Sequence, residues 1–155
     1  MSRAFVKEDD GGGGIEPLPD RPISPHPNIV TPEGLAAIER NLAELQERHA
    51  AALQAEDRAA LGAIARELRY WSARRASAQV VKAPDAPSEV AFGTTVTIAR
   101  DDGRRQTWRI VGEDEADPTH GTLSYVSPVA RALAGHKVGD VVRAGNSDAE
   151  IAAIE

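Results

Sequence analysis

Hydrophobic and polar positions follow two different periods along this chain, and the change falls near residue 90. Between residues 35 and 78, apolar or small residues recur at steps of three and four, which keeps them on one face of a helix. From Val90 onward, apolar positions recur at every second residue, as is typical of strands. The pattern therefore predicts an α+β chain with a helical part followed by a sheet.

The helical part contains two apolar stripes, and each advances by steps of 3, 4, 3, 4 and 3 residues, the a/d spacing of a heptad. The first stripe consists of Leu35, Ile38, Leu42, Leu45, His49 and Ala52, and the second of Leu61, Ile64, Leu68, Trp71, Arg75 and Ala78. Two antiparallel arms bury both stripes against each other, so we expect an α-helical coiled-coil hairpin over residues 31–81. Neither Gly nor Pro marks a reversal, so one continuous helix is the open alternative.

The hairpin has recognisable boundaries in the sequence. Thr31 can cap the first helix and Pro32 suits its first position, whereas Gly34 weakens the first turn. Two prolines within residues 82–89 end the second helix and predict a linker there. The hairpin is therefore expected to be a unit separate from the sheet.

The predicted tip of the hairpin lies at residues 54–57, where Asp57 can cap the second helix. Arms of about 22 residues would be about 33 Å long at 1.5 Å per residue. Glu56 and Asp57 are the acidic residues at this tip. Taken alone, they are interpreted as helix-start charges favoured by the macrodipole rather than as metal ligands.

The first 30 residues hold a run of four glycines and five prolines. Such a stretch can neither bury much apolar surface nor sustain a hydrogen-bond ladder. We expect residues 1–30 to form a disordered tail with extended, polyproline character. The open alternative is that residues 22–30 dock on a partner as a strand.

Residues 90–155 have the pattern of a compact domain of about five strands around one helix. The predicted strands are residues 95–99, 107–111, 122–126, 138–144 and 150–154, and the predicted helix is residues 128–134. Residues 101–103 suit a hairpin turn, and Ser127 suits a helix cap. Because the domain is small, we expect Trp108 to contribute much of its core.

Charge and cysteine content narrow the function. The net charge of −6 argues against a protein that grips nucleic acid along its whole surface, because phosphate contacts need dense Lys and Arg. Four arginines on the second helix form a local basic group, interpreted as a solvated face: Arg66, Arg69, Arg74 and Arg75. Without cysteine the chain has neither disulfides nor thiolate metal sites, and its four histidines fit no ligand spacing.

Targeting signals are also missing from the pattern. No apolar run approaches the length of about 18 residues that a membrane span requires. The first residues contain no apolar core of a signal peptide. We therefore expect a cytoplasmic protein without a membrane partner.

The second half of the chain contains several short motifs in a characteristic order: residues 109–112 (RIVG), the acidic turn at residues 112–117, Ser127-Pro128, residues 130–133 (ARAL) and residues 138–140 (VGD). In that order they closely resemble the C-terminal domain of the bacterial transcript-cleavage factors GreA and GreB. The end of the second helix is more similar to GreB. The resemblance implies an FKBP-like antiparallel sheet domain that docks at the rim of the RNA polymerase secondary channel, and a coiled coil that enters the channel.

The resemblance also implies the residues that contact the partner. They are Gly112, Asp114, Glu115, Asp117, Ser127, Pro128 and Arg131. On sequence alone, the carboxylates of the acidic turn also fit a solvated loop between strands. Ser127 and Pro128 equally fit a purely structural helix start, and the role of Arg131 is undecided.

The hairpin departs from the family at its tip. The family carries acidic residues in a motif close to Gly-Asp-x-x-Glu-Asn, which help to hold a second Mg²⁺ at the polymerase active centre. This sequence has only Glu56 and Asp57 there, and its arms are shorter by roughly ten residues, or about 15 Å. We expect no cofactor of its own, and contact with the polymerase Mg²⁺ only if the tip reaches it.

Three functional hypotheses follow. The first is an RNA polymerase-binding regulator of elongation that occupies the secondary channel without a catalytic group, as a monomer that meets nucleic acid mainly indirectly, through the polymerase. The second is an active transcript-cleavage factor that uses Glu56 and Asp57. The third is an FKBP-like interaction module with a partner other than polymerase.

Overall fold

The computed structural model describes residues 18–155. In chain order the elements are β1 (Ile29–Val30), α1 (Pro32–Gln54), α2 (Arg58–Ser77), β2 (Gln79–Val80), β3 (Thr95–Arg100), β4 (Arg105–Val111), β5 (Thr122–Ser124), α3 (Pro128–Leu133), β6 (Val141–Ala144) and β7 (Ser147–Ile154). A short 3-10 turn, Pro118–His120, precedes β5. The glycine run at residues 11–14 lies outside the described residues.

The two long helices pack against each other, which confirms the predicted hairpin and excludes one continuous helix. Leu45, Ala52 and Ile64 form the buried centre of the contact, and Leu68 and Trp71 pack against it. The helices have 23 and 20 residues, or about 34 and 30 Å. Within residues 18–155, no helix combines the length and the apolar composition needed to cross a membrane.

The last part of the second stripe is polar. The heptad spacing places Arg75 on the seam, with a packed stem and a head that reaches water, and its side chain is 50% exposed and pairs with Glu39 of α1 at 3.0 Å. The buried residue is Arg74, whose side chain is 2% exposed. Arg74 is buried because it contacts Asn28 and Asp114, which lie in other parts of the chain.

Five strands form one sheet in the order β5-β4-β3-β7-β6. Three of the four pairs are antiparallel, as expected, but β5 lies parallel to β4. The acidic turn and the 3-10 turn carry the chain back before β5 begins, so β5 enters in the same direction as β4. The predicted α+β class is confirmed, and the sheet is mixed rather than wholly antiparallel. We call residues 90–155 the sheet domain.

The core of the sheet domain is aliphatic. Its completely buried members are Val96, Ile98, Leu133, Ala144 and Ile151. Trp108 is only partly buried and packs against this cluster from its margin. Trp108 therefore contributes to the core from its margin rather than from its centre, because branched aliphatic side chains from all five strands and α3 fill the interior.

Residues 18–30, which fall within the predicted disordered tail, make defined contacts with the rest of the chain. β1 pairs in parallel with β2, with Ile29 opposite Gln79 and Val30 opposite Val80. Asn28 and Val30 are both buried. Composition concealed this order, because the contacts of the segment come from side chains of α2 and of the acidic turn rather than from a core of its own.

Candidate functional site

The tip of the hairpin lies where the sequence predicted it, between Gln54 and Arg58. The backbone N–H of Asp57 donates to the carbonyl of Ala52 at 3.0 Å, which closes the end of α1. Between them Glu56 has φ 53°, and it is the one non-glycine residue with positive φ among residues 18–155. A left-handed residue after a helix normally favours Gly, so Glu56 is held in a strained conformation.

The tip offers little metal-binding chemistry of its own. Oδ1 of Asp57 accepts from the backbone N–H of Ala60 at 3.0 Å and so caps α2. Glu56 is exposed. Residues 18–155 contain no group of three or more carboxylate, His or Cys side chains placed to hold a metal ion. Because Mg²⁺ prefers six oxygen ligands, the tip could at most add one or two carboxylate oxygens to a metal held by another molecule.

The acidic turn at residues 112–117 faces the base of the hairpin, with three consecutive carboxylates. The middle one, Asp114, accepts from Nε of Arg74 at 2.5 Å and also from the hydroxyl of Tyr70. The side chain of Asp114 is 10% exposed. Nη2 of Arg74 in turn donates to Oδ1 of Asn28 at 2.8 Å. A buried ion pair thus joins α2 to the sheet domain.

Glu115 joins the turn to the start of α1. Its Oε2 accepts from the backbone N–H groups of Thr31 and Gly112, both at 3.0 Å, and its Oε1 accepts from the Thr31 hydroxyl. The same Thr31 oxygen accepts from the backbone N–H of Gly34 at 3.0 Å and caps the helix. Thr31 is completely buried, so this network is shielded from water.

The third carboxylate, Glu113, is only partly satisfied. Its Oε1 accepts from the hydroxyl of Ser24 at 2.9 Å. Its Oε2 lies 3.9 Å from Nη2 of Arg74 and is buried without a hydrogen-bond partner among the described residues. Arg74 therefore balances two carboxylates while forming a close contact with one.

The environment of Tyr70 reflects this arrangement. Burial of the ring, then the hydrogen bond to Asp114 and the charge of that carboxylate, raise the pKa of Tyr70 from 10.0 to about 12. Ionisation of Tyr70 would place a phenolate beside the Asp114 carboxylate. The neutral phenol is therefore part of the structure that holds the hairpin to the sheet domain.

These contacts change the interpretation of the acidic turn. We expected Asp114 and Glu115 to belong to an outward acidic face, but the structure turns them inward. Gly112 is buried, and a β-carbon there would lie 2.4 Å from the carbonyl oxygen of Ile29. The oxygens of these three residues are used within the chain, so their geometry favours positioning the hairpin over direct contact with a partner.

The other predicted contact residues lie further outward. Asp117 caps the 3-10 turn, and its pKa is lowered by hydrogen bonds from Thr119 and His120. Ser127 caps α3 and accepts from the backbone N–H of Ala130 at 3.3 Å, while Pro128 and Arg131 are exposed on that helix. Asp117 and the α3 residues lie at opposite ends of β5, so the structure divides the predicted set into inner and outer parts.

Sequence patterns missed the hairpin side of this junction. The residues that contact the acidic turn or support its contacts are Asn28, Thr31, Gly34, Tyr70 and Arg74. Arg74 lies three residues after Trp71, a helical step that also continues the apolar stripe, and this spacing was its available signal. Neither periodicity nor composition indicates the role of Gly34.

A family model described as "Transcription elongation factor, GreA/GreB, C-term" matches residues 84–155. "Transcription elongation factor GreA" of Thioalkalivibrio sulfidiphilus is 35% identical over 136 residues, which cover 83% of this chain and 82% of that protein. "Transcription elongation factor GreB" of Neisseria meningitidis serogroup B is 40% identical over 98 residues, and the match spans 59% of this chain and 60% of the relative. Among solved structures, Gfh1 of Thermus thermophilus aligns with a TM-score of 0.41 and 20% identity, covering 84% of this chain and 99% of that one.

Proposed function

The chain belongs to the GreA/GreB family of transcription elongation factors, and from this membership we propose that it binds RNA polymerase and modulates elongation through the secondary channel. The observation that carries the proposal is the junction. Buried contacts from Asp114 and Glu115 hold a hairpin of about 30 Å to the domain that the family model matches. A projecting arm with a fixed base suits insertion into a channel.

In this mechanism the sheet domain provides the anchor. Of the residues implied by the resemblance, Asp117, Pro128 and Arg131 are the ones that lie toward the surface. They are proposed to meet the polymerase, while Gly112, Asp114, Glu115 and the Ser127 cap shape the anchor from within. Variants of the surface residues should therefore affect binding to the polymerase. Variants of the inner residues should affect the direction of the hairpin.

The proposed effect of the arm is obstruction of the channel or competition with other factors that enter it. Asp57 uses one carboxylate oxygen to cap α2, which leaves Glu56 as the uncommitted acidic side chain at the tip. A second Mg²⁺ would need several further oxygen ligands from the polymerase and the RNA. The chain has no catalytic role of its own in this proposal and requires no resident cofactor.

Active cleavage stimulation is the second candidate, because Glu56 and Asp57 are both exposed at the far end of the arm. Here the two carboxylates would complete the coordination of a polymerase-bound Mg²⁺ that activates water for phosphodiester hydrolysis. Removing the carboxylate of Glu56 or Asp57 would abolish stimulation of transcript cleavage in this candidate. In the first candidate no cleavage is stimulated, so the same change would have no effect on it.

The test is transcript cleavage in purified, backtracked polymerase complexes, with binding of the chain followed in the same samples. Binding without accelerated cleavage supports the obstructing regulator. Binding with cleavage that disappears in Glu56→Gln, but not in the matched variant Glu47→Gln on the exposed side of α1, supports the second candidate. Absence of binding contradicts both and leaves a different protein as the partner.

A further inference from the structure

The segment of residues 18–28 lies along α2 and reaches the sheet domain, and we call it the strap. Its first anchor is Arg21. Nη1 of Arg21 pairs with Oε2 of Glu67 at 2.7 Å, and the guanidinium carbon lies 3.8 Å from the ring centre of Tyr70. The ring of Trp71 stands nearly perpendicular to that of Tyr70, and its centre lies 5.9 Å from the same guanidinium carbon. A carboxylate beside two aromatic rings is a specific receptor for an arginine.

The neighbouring residues keep the strap in register on α2. Asp20 accepts from Nε of Arg69 at 2.6 Å, and the carbonyl of Pro19 accepts from Nε of Arg66 at 2.6 Å. The two arginines donate to consecutive residues of the strap from positions one helical turn apart. The basic group of α2 is therefore not simply a solvated face, because most of it is engaged by this segment.

The other end of the strap reaches the sheet domain. Ser24 donates its hydroxyl to Glu113 at 2.9 Å, and the hydroxyl of Tyr125 donates to the carbonyl of Pro27. Asn28 closes the path, because its Nδ2 donates to the carbonyl of Arg74 at 2.7 Å. Within about ten residues, the strap thus contacts the hairpin, then the sheet domain, then the hairpin again.

We propose that residues 18–28 form an intramolecular strap that fixes the direction of the hairpin relative to the sheet domain, with Arg21 as its lock. α2 continues into the sheet domain only through residues 78–89, which include the short β2 and a proline-containing connection. The strap adds a second tie on the side of Tyr70. The strap crosses the outer side of the junction between the hairpin and the sheet domain. The ion pair of Arg74 with Asp114 joins the same two parts on the inner side.

The chemistry of the strap makes the lock reversible. Arg21 and Glu67 are each about one third exposed, and the pair of Asp20 with Arg69 is more exposed still. Exposed ion pairs are weak individually and are screened by salt. The cation over the aromatic rings and the two ion pairs act together, so loss of Arg21 should free the outer tie while the hairpin and the sheet remain folded.

The experiment uses the full chain, which lacks cysteine, so two introduced cysteines carry spin labels without competing sites. Gln54→Cys places one label near the tip, and Glu150→Cys places the other on β7; both positions are exposed. Pulsed electron paramagnetic resonance then gives the distribution of distances between the tip and the sheet domain. The measurement needs no polymerase, so its failure is separate from failure of the proposed function.

We expect one narrow distance distribution for the parent chain. Arg21→Ala combined with Ser24→Ala should broaden it and introduce a second distance in about 10% or more of the molecules. The distance distribution of Arg21→Lys should be intermediate in width, because lysine keeps the charge but loses the planar contact with Tyr70. The matched control is Arg58→Ala, which removes an exposed arginine elsewhere on α2 and should leave the parent distribution unchanged.

A second measurement needs no strap variant. Raising salt from about 0.1 M to about 1 M shortens the Debye length from about 10 Å to about 3 Å and should reproduce the broadening in the parent chain. Circular dichroism on the same samples verifies that the helices remain folded. Superimposable distributions for the parent and the Arg21→Ala/Ser24→Ala chain, or a broad distribution in the parent at low salt, would overturn the proposal.

Discussion

The carboxylate of Glu115 occupies the space where Gly34 would carry a β-carbon. An ideal Cβ on Gly34 would lie 2.1 Å from Cδ of Glu115 and 2.4 Å from its Oε2. Glu115 cannot easily withdraw, because Thr31 and Gly112 hold its oxygens. The helix-weakening glycine in the first turn of α1 is thus the residue that lets the acidic turn approach.

Gly34→Ala should therefore destabilise the protein by about 2 kcal/mol, since the added methyl group overpacks the junction. Gly62 is the matched control: it also lies within a helix, but a β-carbon there meets nothing within 4 Å. Gly62→Ala should stabilise by about 0.5–1 kcal/mol through helix propensity. Urea unfolding of the two variants measures both signs.

The mechanism behind the Gly34 effect can be tested separately. Glu115→Ala removes the obstructing carboxylate, so adding Gly34→Ala to Glu115→Ala should cost much less than it does in the parent chain. Strict additivity of the two substitutions would show that the methyl group and the carboxylate do not meet.

Removal of the Arg74 cation should leave the carboxylate of Asp114 buried without its charge partner. Breaking one side of such a pair costs about 3–5 kcal/mol. We expect a loss near the lower value for Arg74→Met, because Tyr70 continues to donate to Asp114. The neighbouring Arg75→Met serves as control, since that side chain is half exposed and should change stability by no more than about 0.5 kcal/mol. Equal losses for the two variants in thermal or urea unfolding would contradict the buried pair.

Tyr70 should titrate unusually late. Its pKa of about 12 exceeds the ordinary value of 10.0, so the folded chain holds the phenolic proton more tightly than the unfolded chain does. The stability supplied by neutral Tyr70 is fully present below about pH 10 and is lost as pH rises toward about 12. Asp114→Asn should lower the Tyr70 pKa, because it removes the carboxylate charge that opposes ionisation.

Tyrosinate absorbance during an alkaline titration measures this shift, with Tyr125→Phe leaving Tyr70 as the sole tyrosine in the chain. The background substitution is needed because burial also raises the pKa of Tyr125. An identical titration midpoint with and without the Asp114→Asn substitution in that background would show that the carboxylate does not act on the phenol.

The tip should tolerate, and even favour, a glycine. Glu56→Gly relieves a left-handed backbone conformation and should raise stability by about 1 kcal/mol. Asp57→Ala removes a helix cap and should lower stability by about 1 kcal/mol. Thermal unfolding distinguishes the two, and a destabilised Glu56→Gly chain would show that the side chain of Glu56 has a structural role at the turn.

The sequence predicted the elements that local patterns encode. The heptad steps from Leu35 to Ala52 indicated the first helix, and period-two alternation with the turn at residues 101–103 indicated the β3–β4 hairpin. The missed features are contacts between distant polar residues. Periodicity indicates which face of α2 is apolar, but burial of Arg74 depends on the acidic turn lying beside it, which no local pattern records.

Residues 18–28 also show that local patterns do not record contacts between distant residues. Proline content near Arg21 predicts an extended backbone, and residues 18–28 are outside any helix or strand. Extension was therefore foreseeable, but disorder did not follow from it. The aromatic and acidic receptor for Arg21 lies on α2, more than 40 residues away, so its existence could be recognised only in three dimensions.

Binding of the full chain to core RNA polymerase tests the proposed function most directly. A fluorescent label on Gln54→Cys near the tip or, as a check on interference, on Glu150→Cys reports association by anisotropy. We predict saturable binding that an unlabelled GreB relative displaces, and weaker binding for Arg131→Ala than for the exposed control Arg143→Ala. If neither labelled chain binds, or if the GreB relative does not displace the bound chain, occupation of the secondary channel is contradicted.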